Sequence, residues 1–406
     1  MNPIQRILKL NLLNRKSAGL ILILSILSVN QNIISQSVKV PGVIIDYLKP
    51  SEKVYVGSPG ICILPDGSYI ASHDHFGPGS TEFECALTAV FRSDDKGKTW
   101  KKISEIKGQF WSNLFELNGA VYIMGTWKHH GNLVIRKSVD GGKTWTEPTD
   151  GKTGLLREGE YHTAPMPVLI WNNIIWRAVE NAKAPTQEWG KRYSAMVFSA
   201  SVNSDLLNSG SWAETNALPF NQLYLDGRFM GWLEGNAVAD PQGNIVDMLR
   251  VATSENGRDL AAFVKISTDG LKASFDPASG FIDFAGGARK FSVRYDEKSK
   301  LYWTISNMIS DGHTDINAGS VRNKLVLKSS WDLINWNINE ILLYHPDILK
   351  HGFQYVDWLF DGKDIIYVSR TAFDDNLTGA ANFHDANYMT FHRIKNFRKL
   401  SGKIIR

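Results

Sequence analysis

After residue 37 the chain alternates apolar and polar positions in short runs, and the runs come in pairs. Six times an apolar run leads through a brief polar or glycine-bearing turn into a second apolar run. The turns are Pro65-Asp66-Gly67-Ser68, Asn118-Gly119, Asn172-Asn173, Pro241-Gln242-Gly243, Glu297-Lys298-Ser299 and Asp361-Gly362. Period-two patterning broken by Asp-Gly or Asn-Gly predicts a β-hairpin, because these residues accept the positive φ that such a turn requires. A sustained helical period is missing after residue 37, apart from short possibilities such as 341–350. Six hairpins in one chain predict an all-β fold, a six-bladed β-propeller in which each hairpin gives the two inner strands of a blade. Residues 43–47 are expected to close the last blade from the start of the mature chain. Long segments at 182–191, 219–231 and 311–319 interrupt the rhythm, and loops of that length commonly shape a binding mouth.

A second motif recurs between the hairpins. Ser93-Asp94-Asp95-Lys96-Gly97-Lys98-Thr99-Trp100 and Ser138-Val139-Asp140-Gly141-Gly142-Lys143-Thr144-Trp145 both read S-x-D-x-G-x-T-W. Weaker versions follow at Ser267-Thr268-Asp269-Gly270 and at Ser330-Trp331-Asp332, which ends on Trp336. The Asp carboxylate can accept backbone N–H bonds in a tight turn, Gly supplies the geometry and Trp fills the space beneath. The motif resembles the Asp-box (BNR) repeats of the sialidase-like β-propellers, a carbohydrate-active family. The resemblance implies one propeller domain over residues 37–406, with the boxes as structural staples on the face away from the axial opening. It departs from the family at one place. Sialidases carry Arg-Ile-Pro at the first inner strand, whose Arg belongs to a triad holding the substrate carboxylate, whereas this chain reads Gly57-Ser58-Pro59-Gly60.

Composition narrows the picture further. A formal net charge of +4 over 406 residues gives no support to a nucleic-acid partner. Thirteen Trp and thirteen Tyr are mainly core and blade plugs on this reading, with some left to stack on sugars. Arg6, Lys9, Arg15 and Lys16 precede an apolar run at 18–29 and a polar Asn30-Gln31-Asn32 flank. That order reads as a secretory signal over residues 1–36, cut near 28–35, and the run is too short for a comfortable membrane span. A secreted or periplasmic protein without stable membrane insertion after cleavage is expected. Of the two cysteines, Cys62 lies in an apolar run as a small hydrophobe; a disulfide with Cys85 is open to an exported chain but nothing demands it.

Propeller topology turns these runs into a site. First strands start at one face, hairpin turns lie at the other, and second strands return, so starts and returns converge around one axial opening. The first hairpin brings His73 and Asp74, with His75 beyond them. The second brings Trp111 at its entrance, then Lys128, His129 and His130 past its exit. Tyr161, His162, Arg177 and Glu180 come from the third; Glu234, Asn236 and Arg250 from the fourth. The fifth adds Lys290, and the last adds Gln354 and Arg370, followed by His384 and Asp385. An inward Arg177 is costly unless paired, and Glu180 or Glu234 could pair it.

Cationic side chains facing carboxylates suit an oligo- or polysaccharide with an acidic sugar, since guanidinium forks match a carboxylate bidentately. The resemblance implies glycoside hydrolysis at such a sugar. Asp74 would be the general acid, Tyr161 with Glu180 or Glu234 the activated nucleophile pair, and Arg250 and Arg370 the anion clamps. Glycosidases with a Tyr nucleophile are a known exception to the two-carboxylate rule. His73 and His162 complete the catalytic candidates; His130, Trp111, Arg177, Asn236, Lys290 and Gln354 complete the substrate contacts. Two other readings stay open. A polysaccharide lyase would use Tyr161, His162, His73 and His130 as acid and base and Arg177 to neutralise a uronate carboxylate. A non-catalytic glycan-binding propeller would share the same fold. His73-x-His75 alone is a weak zinc pattern, and no metal or cofactor is expected.

Overall fold

In the computed structural model, residues 39–403 (apart from Asp311) and Ile405 are described; the segment read as a signal lies outside them. The six expected hairpins become six antiparallel sheets, the blades of a propeller. Blade one is built from Tyr55–Val56, Gly60–Ile63, Tyr69–Phe76, Leu87–Ser93 and Lys101–Lys107, and blade two from Phe110–Leu117, Ala120–Thr126, Leu133–Ser138 and Leu155–Arg157. Blade three follows from Tyr161–His162 to Trp212–Glu214, blade four from Phe229–Ala239 to Phe281–Asp283, and blade five from Ser292–Asp296 to Trp336–Tyr344. Blade six holds Gly352–Asp361, Asp364–Ala372 and Tyr388–Ile394, and its outermost strand is Val43–Tyr47, paired antiparallel with Tyr388–Ile394.

Both faces of each sheet are covered, which is why many strands are buried along their whole length. Hydrophobic packing divides accordingly, with one cluster at each junction between neighbouring blades. Phe115, Tyr122 and Ile135 meet Tyr161, Phe198 and Trp212 between blades two and three. Trp176 and Val197 meet Trp232 and Leu249 at the next junction, and Trp303 and Leu327 meet Trp358 and Tyr367 between blades five and six. The ring closes where Ile45, Val368 and Phe391 of the last blade pack on Ile61 and Tyr69 of the first. Both cysteines are free; Cys62 is buried, and its surroundings raise its thiol pKa. No helix among the described residues is long and apolar enough to cross a membrane.

The repeated Ser/Asp turns share one hydrogen-bond pattern. Asp95 Oδ1 accepts the N–H groups of Lys98 and Thr99 at 2.9 Å each, and Thr99 Oγ1 donates to Oδ2 at 2.7 Å. Asp140 does the same with Lys143 and Thr144. Lys96 Nζ donates to the Gly67 carbonyl at 2.6 Å, so this turn and the first hairpin turn lie on one face of the ring.

At the other face the innermost strands are irregular. Register slips between Phe110 and Asn113 in blade two, between Leu233 and Asn236 in blade four, and between Gln354 and Asp357 in blade six. Each slip holds one residue at positive φ: Trp111 at 47°, Glu234 at 57° and Tyr355 at 51°. Bulges re-aim side chains, and strained non-glycine backbone persists only where surrounding structure holds it. Trp111 and Tyr355 line the axial mouth, and Glu234 is bonded to the Tyr355 hydroxyl.

Candidate active site

A cavity of about 310 Å³ opens at this mouth, lined among others by Asp74, Phe76, Trp111, His129, Trp189, Tyr355, Arg370 and His384. From Tyr355 in this lining a chain of charge runs inward. The Tyr355 hydroxyl donates to Glu234 Oε1 at 2.9 Å, and Glu234 Oε2 accepts from Arg250 Nη1 at 3.0 Å. Arg250 is fixed in turn by donating Nε–H to the Ala288 carbonyl at 2.9 Å. Burial works to raise the Glu234 pKa, but Arg250 and His162 outweigh it and leave the carboxyl below its ordinary value. A buried carboxylate held ionised beside a phenol is placed to take the phenol's proton.

Two more guanidinium groups flank Tyr355. Arg370 lies 4.9 Å from the Tyr355 ring centroid and 4.2 Å from that of Phe76, and it donates to the His384 carbonyl at 2.6 Å. Arg322 lies 5.6 Å from the same Tyr355 ring; its Nε–H donates to the Gly319 carbonyl at 3.0 Å, and its Nη1 donates to Gln354 Oε1. Three cations from blades four, five and six therefore surround one phenol. Burial lowers the pKa of Arg322 to about 10, still far above neutrality, so its charge remains for an anion.

Asp74 stands at the cavity edge on blade one. Its Oδ1 accepts the Ser58 N–H at 2.9 Å, while Oδ2 is buried with no partner. Burial pushes its pKa up to about 6. A Cβ at Gly57 would lie 2.3 Å from Oδ2, so glycine at that point is what admits the carboxyl.

The opposite wall is aromatic. Trp111, at the first bulge, meets His129 and His162 at ring-centroid distances of 4.4 Å each. Trp189, which leaves 48% of its surface open, stands edge-on to His162 at 5.5 Å. His162 Nδ1 is 2.7 Å from Glu180 Oε2, and Glu180 Oε1 accepts the Gly235 N–H at 3.1 Å. His130 Nε2 lies 3.0 Å from the Tyr193 hydroxyl; burial and then His162 push the His130 pKa down to about 2, so it stays neutral.

Several residues expected at the mouth have other work. Tyr161 packs in the cluster between blades two and three, with its ring 6.4 Å from Phe198, and Tyr355 takes the expected place beside Glu234. His73 is fully buried and faces Asp46, because alternation along its strand sends Asp74 toward the cavity and His73 away from it. Arg177 lies fully buried with Nη2 donating to the Ala164 carbonyl at 2.7 Å; its expected ion pair does not form. Asn236 ties blade four to blade five, donating to the carbonyls of Met248 and Phe291 and accepting from Val293 N–H at 3.1 Å. Lys290 Nζ donates to the Val356 carbonyl, and burial pushes its pKa down to about 7. Gln354 positions Arg322 and donates to the Phe383 carbonyl at 2.5 Å.

Tyr355, Arg322 and Trp189 escape the sequence reading. Tyr355 follows Gln354 in the sixth hairpin and looks like an ordinary alternating strand residue until the bulge turns it. Arg322 sits at the end of a long loop with no motif around it. Trp189 lies in the 182–191 segment, whose length was the available signal.

Fold and site together describe a sialidase-like six-bladed propeller with a Tyr–Glu pair, three arginines and a buried aspartic acid at its mouth. No protein-family model matches the chain, and no curated protein matches it. Among solved structures it is similar to the Hadza microbial sialidase, with TM-score 0.56 and 14% identity over 87% of this chain and 68% of that one. It is also similar to a protein of unknown function from Dyadobacter fermentans (TM-score 0.54, 14% identity, 88% and 100% of the two chains). A third is the α-L-arabinanase of Penicillium chrysogenum complexed with arabinobiose (TM-score 0.51, 13% identity, 90% and 99%). At these identities the likeness is one of fold.

Proposed function

We propose that the chain is an exported glycoside hydrolase of sialidase type that cleaves the glycosidic bond of an acidic sugar carrying its carboxylate at the anomeric carbon. The observation that carries this reading is the Tyr355–Glu234–Arg250 chain, with Asp74 across the same cavity. A carboxylate nucleophile would be repelled by a carboxylate on the carbon it attacks. A neutral phenol avoids that repulsion and becomes nucleophilic as its proton leaves.

In the first step Tyr355 Oη attacks the anomeric carbon and gives its proton to Glu234. Asp74, protonated, delivers its proton to the departing glycosidic oxygen, so the leaving sugar exits neutral. In the second step Asp74, now a carboxylate, takes a proton from water as the water oxygen displaces Tyr355. Glu234 returns the proton to the phenolate, and the configuration is retained. Arg250, Arg322 and Arg370 supply the fixed positive field for the sugar carboxylate and for the charge that develops beside it. The first inner strand lacks the arginine that sialidases carry there, but Arg370 stands over Phe76 of that same blade. This supports an anion clamp of three cations assembled differently.

The similar folds include a sialidase and an arabinanase holding arabinobiose, so a neutral sugar is the comparator for the acidic one. Purified protein incubated with aryl glycosides of a 2-keto sugar acid and of arabinofuranose separates them. Release from the acid substrate, lost in Tyr355→Phe, is expected. Release from arabinofuranose alone would replace the substrate class. Absorbance from an unsaturated uronate on uronate-bearing glycans would make the chain a lyase. Binding of acidic glycans without any turnover would leave a recognition module.

A further inference from the structure

Behind the strand that carries Asp74, three side chains converge that the proposed reaction does not use. His73 and His75 alternate with Asp74 along Tyr69–Phe76, so both imidazoles lie on the face turned from the cavity, with ring centroids 5.3 Å apart. Asp46 reaches them from Val43–Tyr47, the outermost strand of the last blade. That strand slips register between Ile44 and Asp46, a bulge that re-aims the carboxylate.

The hydrogen bonds around the trio are arranged for a cation. Asp46 Oδ1 is engaged by the Tyr47 N–H at 2.9 Å, which orients Oδ2 to within 2.8 Å of His73 Nε2. The other nitrogen of His73, Nδ1, lies 3.2 Å from the Asp74 carbonyl oxygen. Both ring nitrogens thus face acceptors, and a neutral imidazole can donate to only one. Donation from Nδ1 to a backbone carbonyl is the outer-shell contact that commonly fixes a metal-ligating histidine and leaves Nε2 as the ligand atom. One ligand atom from each of Asp46, His73 and His75 lies within 4.8 Å of the others, so a small adjustment of the side chains would bring them to the about 3.3–3.6 Å separation of tetrahedral donors 2.0–2.2 Å from a shared ion. Lys102 and Glu105, whose charges also reach His75, are paired with each other at 2.6 Å.

We infer that Asp46, His73 and His75 bind a divalent transition-metal ion of the zinc class at the seam where the ring closes. Two imidazoles and one carboxylate are a borderline-soft set that suits Zn²⁺ and disfavours Ca²⁺ and Mg²⁺. Asp46 and His75 are only partly buried, which leaves room for water as a fourth ligand. The ion would cross-link the N-terminal strand of the last blade to the second strand of the first, and its binding energy would add to the stability of closure.

The test uses untagged full-length protein stripped with a chelator, titrated with Zn²⁺ or Ca²⁺ and read by elemental analysis and thermal melting. Zn²⁺ is expected to bind at one equivalent and raise the melting temperature by several degrees, while Ca²⁺ does neither. Asp46→Asn and His75→Gln, at partly exposed positions, should melt near the stripped wild type and lose both the equivalent and the shift. Failure of the wild type to take up Zn²⁺ would overturn the site, as would undiminished uptake by His75→Gln or an equal response to Ca²⁺. None of these readouts depends on what sugar the mouth accepts.

Discussion

Carboxylates at the two faces of the ring behave in opposite ways. On the turn face, Asp95 is half-buried and Asp140 exposed, and both take hydrogen bonds from hydroxyl and backbone donors, led by Thr99 and Thr144, which pull each pKa down to about 2. Toward the mouth, Asp74 has one backbone donor and burial pushes it up to about 6. Asp247, deeper, has no partner on either oxygen, and burial holds it well above the usual range. Glu234 is as buried as these, yet Arg250 keeps it low. Burial alone makes a carboxyl a proton donor, and burial beside a cation makes it a proton acceptor. The mouth contains one of each, Asp74 in the cavity lining and Glu234 bonded to the Tyr355 hydroxyl, whereas Asp95 and Asp140 are neither.

The comparison breaks most visibly if the acceptor and its phenol are removed. Tyr355→Phe and Glu234→Gln should each lower kcat on the acid glycoside by about 10²–10⁴-fold, with sugar binding by calorimetry retained in Tyr355→Phe. Tyr161→Phe should keep its activity, and a loss there would return the nucleophile to blade three. Asp74→Asn comes next. Its effect on kcat should be large, about 10²-fold, for a sugar leaving group and much smaller for an activated aryl one, because a good leaving group needs no proton. Equal losses on both substrates would assign Asp74 a role other than acid. Arg322→Ala and Arg370→Ala should raise KM more than they lower kcat, by about ten- to a hundredfold for a lost charge-assisted contact of roughly 1.5–3 kcal/mol.

How much of this was legible in the chain depends on whether a feature repeats. The hairpins and the Ser/Asp turns recur at matching offsets, and period-two patterning with Asp-Gly turns has few other solutions, so the six blades follow from residues alone. Convergence of strand ends also places Asp74, Glu234, Arg250 and Arg370 at one mouth. What alternation cannot show is a bulge. One extra residue in an inner strand flips the side chain that follows, which is how Tyr355 displaces Tyr161 from the expected pair. Nor does a strand pattern separate an Asn that ties two blades, such as Asn236, from one that meets substrate. Asp46 and His73 meet across the ring closure from the last and first blades, and no local spacing could join them.

The smallest effects test the two faces through stability instead of turnover. Asp247 has a folded pKa above its unfolded value, so ionising it disfavours the fold, and the stability present below pH 4 is lost as pH rises through the folded value. Asp247→Asn removes that loss. Urea unfolding should show the variant more stable than wild type at pH 7, with the gap closing as pH approaches 4. Asp140 has the reverse sign: its folded pKa lies below the unfolded one, so its contribution is present above about pH 4 and fades as pH falls toward 2. Asp140→Asn should therefore be slightly less stable at pH 7, equal to wild type near pH 2, and unchanged in activity. Slopes of the same sign for the two variants would mean that burial does not divide the carboxylates as the two faces imply.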